Sequence, residues 1–144
     1  VAWMLVVNYC LLPVSALFGS EGDPDGRMSF GWHQVAAVVQ NYTPQHSLLL
    51  TTDYRSASAM AYALDDDSVL AISDRIDQFD VWASSRGVLG QSALVLADDW
   101  HPFITTGPLQ LEPGWQQIAT IPVHRFGVKI KDYYLYSGTV AQIE

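Results

Sequence analysis

One cysteine, Cys10, stands in a chain of 144 residues. That count excludes an intrachain disulfide and a cysteine-built zinc site, and it leaves the redox compartment open. Basic residues are scarce as well: seven Lys and Arg against fifteen Asp and Glu give a formal net charge of -8. Nucleic acid is excluded as a partner, because backbone binding needs cations that displace counterions. Anionic lipid surfaces are disfavoured on the same ground. The chain has no Gly-x-Ser-x-Gly elbow, no phosphate-binding glycine loop and no dinucleotide fingerprint. His33, His46, His101 and His124 lie far apart and show no metal-ligand spacing. No repeat and no low-complexity tract occurs. With no nucleophile, base and oxyanion hole in sight, no residue is assigned a catalytic role.

What is present suits one domain with a proper core: 49% of residues are hydrophobic and only 15% are charged. Residues 1–18 carry no charge and are apolar apart from Asn8, Tyr9, Pro13 and Ser15. This leader predicts the trailing end of a transmembrane helix, broken or finished near Pro13. The alternative is a buried helix or strand of the same domain. Residues 19–29 read as a turn-rich linker, and residues 30–144 as the folded domain.

Within that domain the pattern predicts an α/β fold, a small mostly parallel sheet with flanking helices and a C-terminal antiparallel hairpin. Trp32, Val35, Ala36 and Val39 recur at helical spacing, with Ser29 as the expected amino-terminal cap and Pro44 as the stop. Residues 47–52 form an apolar strand buried on both faces. A second helix carries Ala57, Met60, Ala61 and Leu64 on one stripe. Residues 69–72 and 92–97 are further strands. Residues 117–123 and 128–136 pair as the hairpin, with Lys129 and Lys131 alternating against Val128 and Ile130 as on a half-exposed strand. Asp23 and Asp25, the run Asp65-Asp66-Asp67, and Asp98 and Asp99 read as solvated acidic turns, and His33 as exposed.

Ligands of open α/β sheets bind beyond the carboxyl ends of the strands. Two polar connections stand at such positions: Asp53, Tyr54 and Arg55 after the first strand, and Asp74, Arg75, Gln78, Asp80 and Trp82 after the second. Adjacent parallel strands bring both to one edge. There Arg55 and Arg75 can grip phosphate or carboxylate through paired donors. Gln78 can bind a hydroxyl, and Trp82 can offer a stacking face. The competing account is an internal network in which Arg75 pairs with Asp77 or Asp80 and Trp82 fills the core.

The same segments carry a resemblance. Asp-Pro-Asp-Gly-Arg-Met-Ser-Phe-Gly-Trp (residues 23–32) precedes the first helix, and Asp-Tyr-Arg-Ser-Ala-Ser-Ala-Met-Ala-Tyr-Ala-Leu (53–64) forms the second. Asp-Arg-Ile-Asp-Gln-Phe-Asp-Val-Trp (74–82) follows. This order resembles the carboxyl-terminal soluble region of bacterial membrane glycosyltransferases related to protein O-mannosyltransferases and aminoarabinose transferases. Gly31, Trp32, Tyr54, Ala57, Ser58, Met60, Ala61, Leu64, Arg75, Gln78, Asp80 and Trp82 match that pattern; Phe79 keeps the ring but not the hydroxyl of its usual Tyr, and Tyr62-Ala63 departs from its usual Phe-Tyr pair. The match covers about the first two-thirds of the chain. It implies an extracytoplasmic (periplasmic) domain at the cell membrane, with the membrane-embedded region of the same polypeptide as partner and a lipid-linked sugar and its acceptor as further possible contacts. The resemblance places the catalytic carboxylates before this region, gives the domain no cofactor of its own, and leaves open whether the whole enzyme uses a divalent metal. A stand-alone carbohydrate- or anion-binding module built on Arg55, Arg75, Gln78 and Trp82, and a purely structural interaction domain, are the alternatives.

Overall fold

The computed structural model describes residues 1–18, 22–72, 90–103 and 114–140. Five strands form a single mixed sheet in the order β2-β1-β3-β5-β4. They are β1 (Leu48–Thr51), β2 (Leu70–Ala71), β3 (Ser92–Asp98), β4 (Gln116–Arg125) and β5 (Val128–Thr139). β1 runs parallel to both β2 and β3, whereas β5 is antiparallel to β3 and β4. The α/β class therefore holds, and the sheet is mixed instead of mostly parallel. The reason is that the hairpin does not stand apart: β5 pairs with β3 along seven residues, from Ser92↔Thr139 to Asp98↔Tyr133, and makes the long central seam of the sheet.

Before the sheet come α1 (Ala2–Val6), a π-turn over Val7–Leu11, α2 (Val14–Leu17), α3 (Pro24–Met28) and α4 (Trp32–Val39). Pro13 drives Leu12 into an extended conformation, which separates α2 from the π-turn. Asn8 secures the break by accepting a hydrogen bond from Val14 N at 2.7 Å. No helix among the described residues is long and apolar enough to cross a membrane.

The expected linker contains a helix. Asp23 caps α3 by accepting from Gly26 N at 3.1 Å, and Pro24 occupies its first turn, where a missing N–H costs nothing. Ser29 consequently ends α3 and does not start α4. The residue that opens α4 is Gly31, at φ 86°, where an added Cβ would lie 2.1 Å from Val123 Cγ1. Only glycine fits both that backbone and that approach to β4. α4 ends at Val39, and a 3-10 turn over Thr43–Gln45 accommodates Pro44.

α5 (Tyr54–Leu64) links β1 to β2. Val35, Ala36 and Val39 of α4 and Ala57 and Met60 of α5 share one buried cluster with Leu49, Leu94, Leu96, Tyr133 and Leu135. A second cluster (Leu50, Leu70, Ala93, Val95 and Val140, with Phe103, Trp115 and Tyr136 against it) lies on the other side of the sheet. β1, with Leu49 in one cluster and Leu50 in the other, is buried on both faces as its uninterrupted apolar run requires. β4 and β5 meet in a two-residue turn at Phe126 and Gly127, both at positive φ (51° and 78°), which matches the twist of the hairpin.

Candidate functional site at the carboxyl ends of β1 and β3

The connection after β1 enters α5 over one face of the sheet, while the connection after β3 sends Phe103 to the opposite cluster. Neighbouring parallel strands whose connections part in this way leave a crevice at their carboxyl ends. Asp53 follows β1 there, Asp98 is the last residue of β3, and His101 follows it. Thr52 ties the two ends together: its N–H donates to Leu96 O at 3.1 Å and its hydroxyl to His101 O at 2.5 Å.

Asp53 is fixed by the start of α5. Its Oδ2 accepts from Arg55 N at 3.1 Å and Ser56 N at 3.2 Å, an N-cap that satisfies two otherwise unpaired donors. The Arg55 guanidinium reaches back to the same carboxylate (Nε to Oδ2, 3.5 Å) and forward to Asp25 on α3. Burial works against that guanidinium, but Asp53 and Asp25 more than offset it and hold its pKa above the ordinary value. Tyr54 is exposed beside them.

Asp98 is more deeply enclosed, with its side chain 2% exposed. Oδ1 accepts from Trp100 N at 2.9 Å and His101 N at 2.7 Å, which folds the chain into a tight turn. Oδ2 accepts from the ammonium of Lys131 at 2.6 Å, and that side chain is only 3% exposed. Burial would raise the Asp98 carboxyl, yet the Lys131 ammonium and the backbone donor of His101 hold it below the usual carboxylate range. For Lys131 burial is the strongest influence and pulls the ammonium down, against the opposing pull of Asp98. Lys131 also lies 4.0 Å above the Trp100 ring.

His101 spans the two carboxylates: Nδ1 is 3.2 Å from Asp98 Oδ1, and Nε2 is 3.8 Å from Asp53 Oδ1. Below them the Tyr133 hydroxyl is buried without a hydrogen-bond partner, and burial raises its pKa. The ring of Tyr133 packs on Trp32 at 5.1 Å. The edge thus presents two carboxylates, an imidazole and two cations that are already committed. Lys131 is the counter-charge to Asp98. Such a set can accept hydrogen bonds from a ligand. Among the described residues it has no free guanidinium with which to clamp an anion.

Of the residues singled out from sequence, Asp53, Tyr54 and Arg55 stand at this edge, and β1 and β2 are adjacent and parallel as the argument required. Asp74, Arg75, Gln78, Asp80 and Trp82 lie outside the described residues. Two expectations are corrected. Asp98 is not a solvated turn residue, and Lys131 does not face solvent, because each neutralises the other inside the protein. His101 was passed over for lack of metal spacing. The signal for Asp98 and His101 is the polar run Asp98-Asp99-Trp100-His101 at the end of an apolar strand, the same signature that marks Asp53. Among the described residues no group of three or more His, Cys, Asp or Glu is arranged to hold a metal ion.

No family model, curated protein or solved structure matches this chain.

Proposed function

We propose that this chain is an extracytoplasmic domain of a bacterial membrane glycosyltransferase that uses a polyprenyl-phosphate sugar, without a catalytic centre of its own, seated on the membrane-embedded part of its polypeptide through residues 1–18. The observation that carries the reading is the orientation of the amino-terminal segment. Trp3 and Phe18 are each 81% exposed, and Met4, Leu5, Val6, Leu11 and Leu17 also face outward. Its polar groups turn the other way: Asn8 donates to Asp23 at 2.6 Å, Ser15 accepts from Arg27 at 3.2 Å, and Cys10 O accepts from Arg125 at 3.0 Å. A contiguous uncharged apolar face of this kind marks a contact with lipid or with another apolar surface. The tryptophan and Tyr9 on it are residues that favour the membrane–water boundary. The sequence resemblance supplies the enzyme class. The engagement of Arg55 with Asp25 and Asp53 speaks against the alternative of a stand-alone anion-binding module.

Flotation of the full chain with zwitterionic phosphatidylcholine vesicles tests this. Most of the chain is expected in the lipid layer, and a Leu5→Glu/Leu17→Glu variant is expected mainly in the aqueous layer, since each buried leucine contributes about 1.5–3 kcal/mol to partitioning. Wild-type chain that stays in the aqueous layer removes the membrane seat and the glycosyltransferase assignment with it.

A further inference from the structure

The β4–β5 hairpin overhangs the sheet. β5 stops pairing with β3 at Asp98↔Tyr133, so residues 128–132 run on with β4 alone. The amino-terminal segment packs against this overhang: Leu12 joins Val123 and Ile130 in one buried cluster, and Arg125 donates to Cys10 O at 3.0 Å. At the tip stands Phe126, 75% exposed and at φ 51°. We propose that Phe126 inserts into a phospholipid bilayer beside residues 1–18, as a second point of membrane contact. The inference rests on the membrane seat proposed above and extends it to a separate element of the fold.

Three observations converge on that contact. The first is the residue itself. A two-residue hairpin turn at positive φ suits Asn-Gly or Asp-Gly, and a bulky ring in its first position is disfavoured by the backbone. Phe126 belongs to neither hydrophobic cluster, and among the described residues its ring stacks only with the Arg125 guanidinium, at 5.4 Å. Neither the turn nor the core accounts for a phenylalanine here; an apolar surface outside the chain does. The second is continuity. Tyr9 and Leu11, on either side of Cys10, are exposed as Phe126 is, so the bond from Arg125 to Cys10 joins the tip to the amino-terminal apolar face. The third is charge. No Asp or Glu occurs between Glu112 and Asp132, whereas Arg125, Lys129 and Lys131 are three of the chain's seven Lys and Arg. Lys129 pairs with Asp132 and Lys131 with Asp98, but among the described residues no carboxylate pairs with Arg125. Its guanidinium lies behind the tip, 4.5 Å over the buried Phe30 ring. An apolar ring outermost with an unneutralised cation behind it follows the order of acyl chain and phosphate at the surface of a zwitterionic bilayer. An apolar protein groove would instead enclose the guanidinium without a counter-charge, at a cost.

Sedimentation of the full chain with sucrose-loaded phosphatidylcholine vesicles tests the contact, with urea unfolding as the control for folding. Phe126→Asn is expected to lower the partition constant about tenfold or more. Asn suits the left-handed position, so the same variant is expected to keep the wild-type urea midpoint or raise it. Phe126→Trp, which retains an interfacial ring, is expected to partition at least as well as wild type. Tyr62→Asn serves as the comparison. Tyr62 is 85% exposed, but α5 runs back from the carboxyl end of β1 and carries it towards the opposite end of the sheet from the hairpin tip, so its loss is expected to leave partitioning unchanged. The proposal is overturned if Phe126→Asn partitions as wild type does, if Tyr62→Asn loses as much as Phe126→Asn, or if Phe126→Asn lowers the urea midpoint, which would make the ring a part of the fold. Wild type that binds vesicles with an unaffected Phe126→Asn removes the hairpin contact alone; wild type that does not bind removes the membrane seat as well.

Discussion

Replacing Lys131 with methionine keeps the length of the side chain and removes the ammonium that sits 2.6 Å from Asp98 Oδ2. The two side chains are only 3% and 2% exposed, so water cannot take over as the missing donor. A buried carboxylate deprived of its partner costs about 3–5 kcal/mol. The upper part of that range is tempered here, because Trp100 N and His101 N still donate to Asp98 Oδ1. Against a total stability of about 5–15 kcal/mol for a domain of this kind, the loss is large. At roughly 3 °C per kcal/mol for this chain length, it lowers the melting temperature by about 10 °C. Urea unfolding followed by tryptophan fluorescence reads it directly.

Two companions make the measurement decisive. Lys129→Met removes an ammonium that is 55% exposed and pairs with Asp132 on the surface, and it should change stability by no more than about 0.5 kcal/mol. The double variant Asp98→Asn/Lys131→Met removes both charges while keeping an oxygen for the two backbone donors, and it should recover a substantial part of the single-variant loss. If Lys131→Met costs under about 1 kcal/mol, or matches Lys129→Met, the claim that this ion pair is enclosed and structurally required is refuted.

The remaining predictions concern acid and glycine. The Asp98 carboxyl titrates below its unfolded value, so its contribution to stability is complete above the unfolded pKa of about 3.9 and is lost as pH falls through the folded pKa. The urea midpoint should therefore drop steeply below about pH 4, and the Asp98→Asn variant, less stable at neutral pH, should show a shallower acid limb; equal slopes would remove Asp98 from the account. Gly31→Ala combines a positive φ of 86° with a Cβ 2.1 Å from Val123 Cγ1. It should cost about 2–4 kcal/mol by urea unfolding. Gly127→Ala, at φ 78° with no atom near the added Cβ, should cost only the backbone part, and equal costs would show that the approach to Val123 is not tight.

Much of the fold was legible because its signals are local. An uninterrupted apolar run gave β1, a stripe of Ala57 and Met60 gave α5, and alternation ending in Phe126-Gly127 gave the hairpin. The place of that hairpin was not legible. Nothing in residues 128–139 says that their free edge will pair with β3, and this long-range pairing is what turns a parallel sheet into a mixed one. Ser29 shows a subtler failure. It is a good capping residue at the right distance from an apolar stripe, but Asp23-Pro24 just upstream starts a helix of its own, and Ser29 is the C-cap of that short helix α3.

The site divides along the same line. Asp53 was found because its role is written beside it: a strand before, a helix after, and a carboxylate suited to cap that helix. Asp98 and Lys131 depend on each other across 33 residues of sequence. Alternation along β5 puts Lys131 on one face, but whether that face meets water or a carboxylate is decided by which strand lies next to it. β3 brings Asp98 opposite Tyr133, two residues along from Lys131 on the same face, and the ammonium folds over to it beneath Trp100. A lysine on a strand is therefore uninformative until its neighbour strand is known. An aspartate at the carboxyl end of a parallel strand is informative by position alone, and it is Asp98, not Lys131, that a reading of this sequence had the means to find.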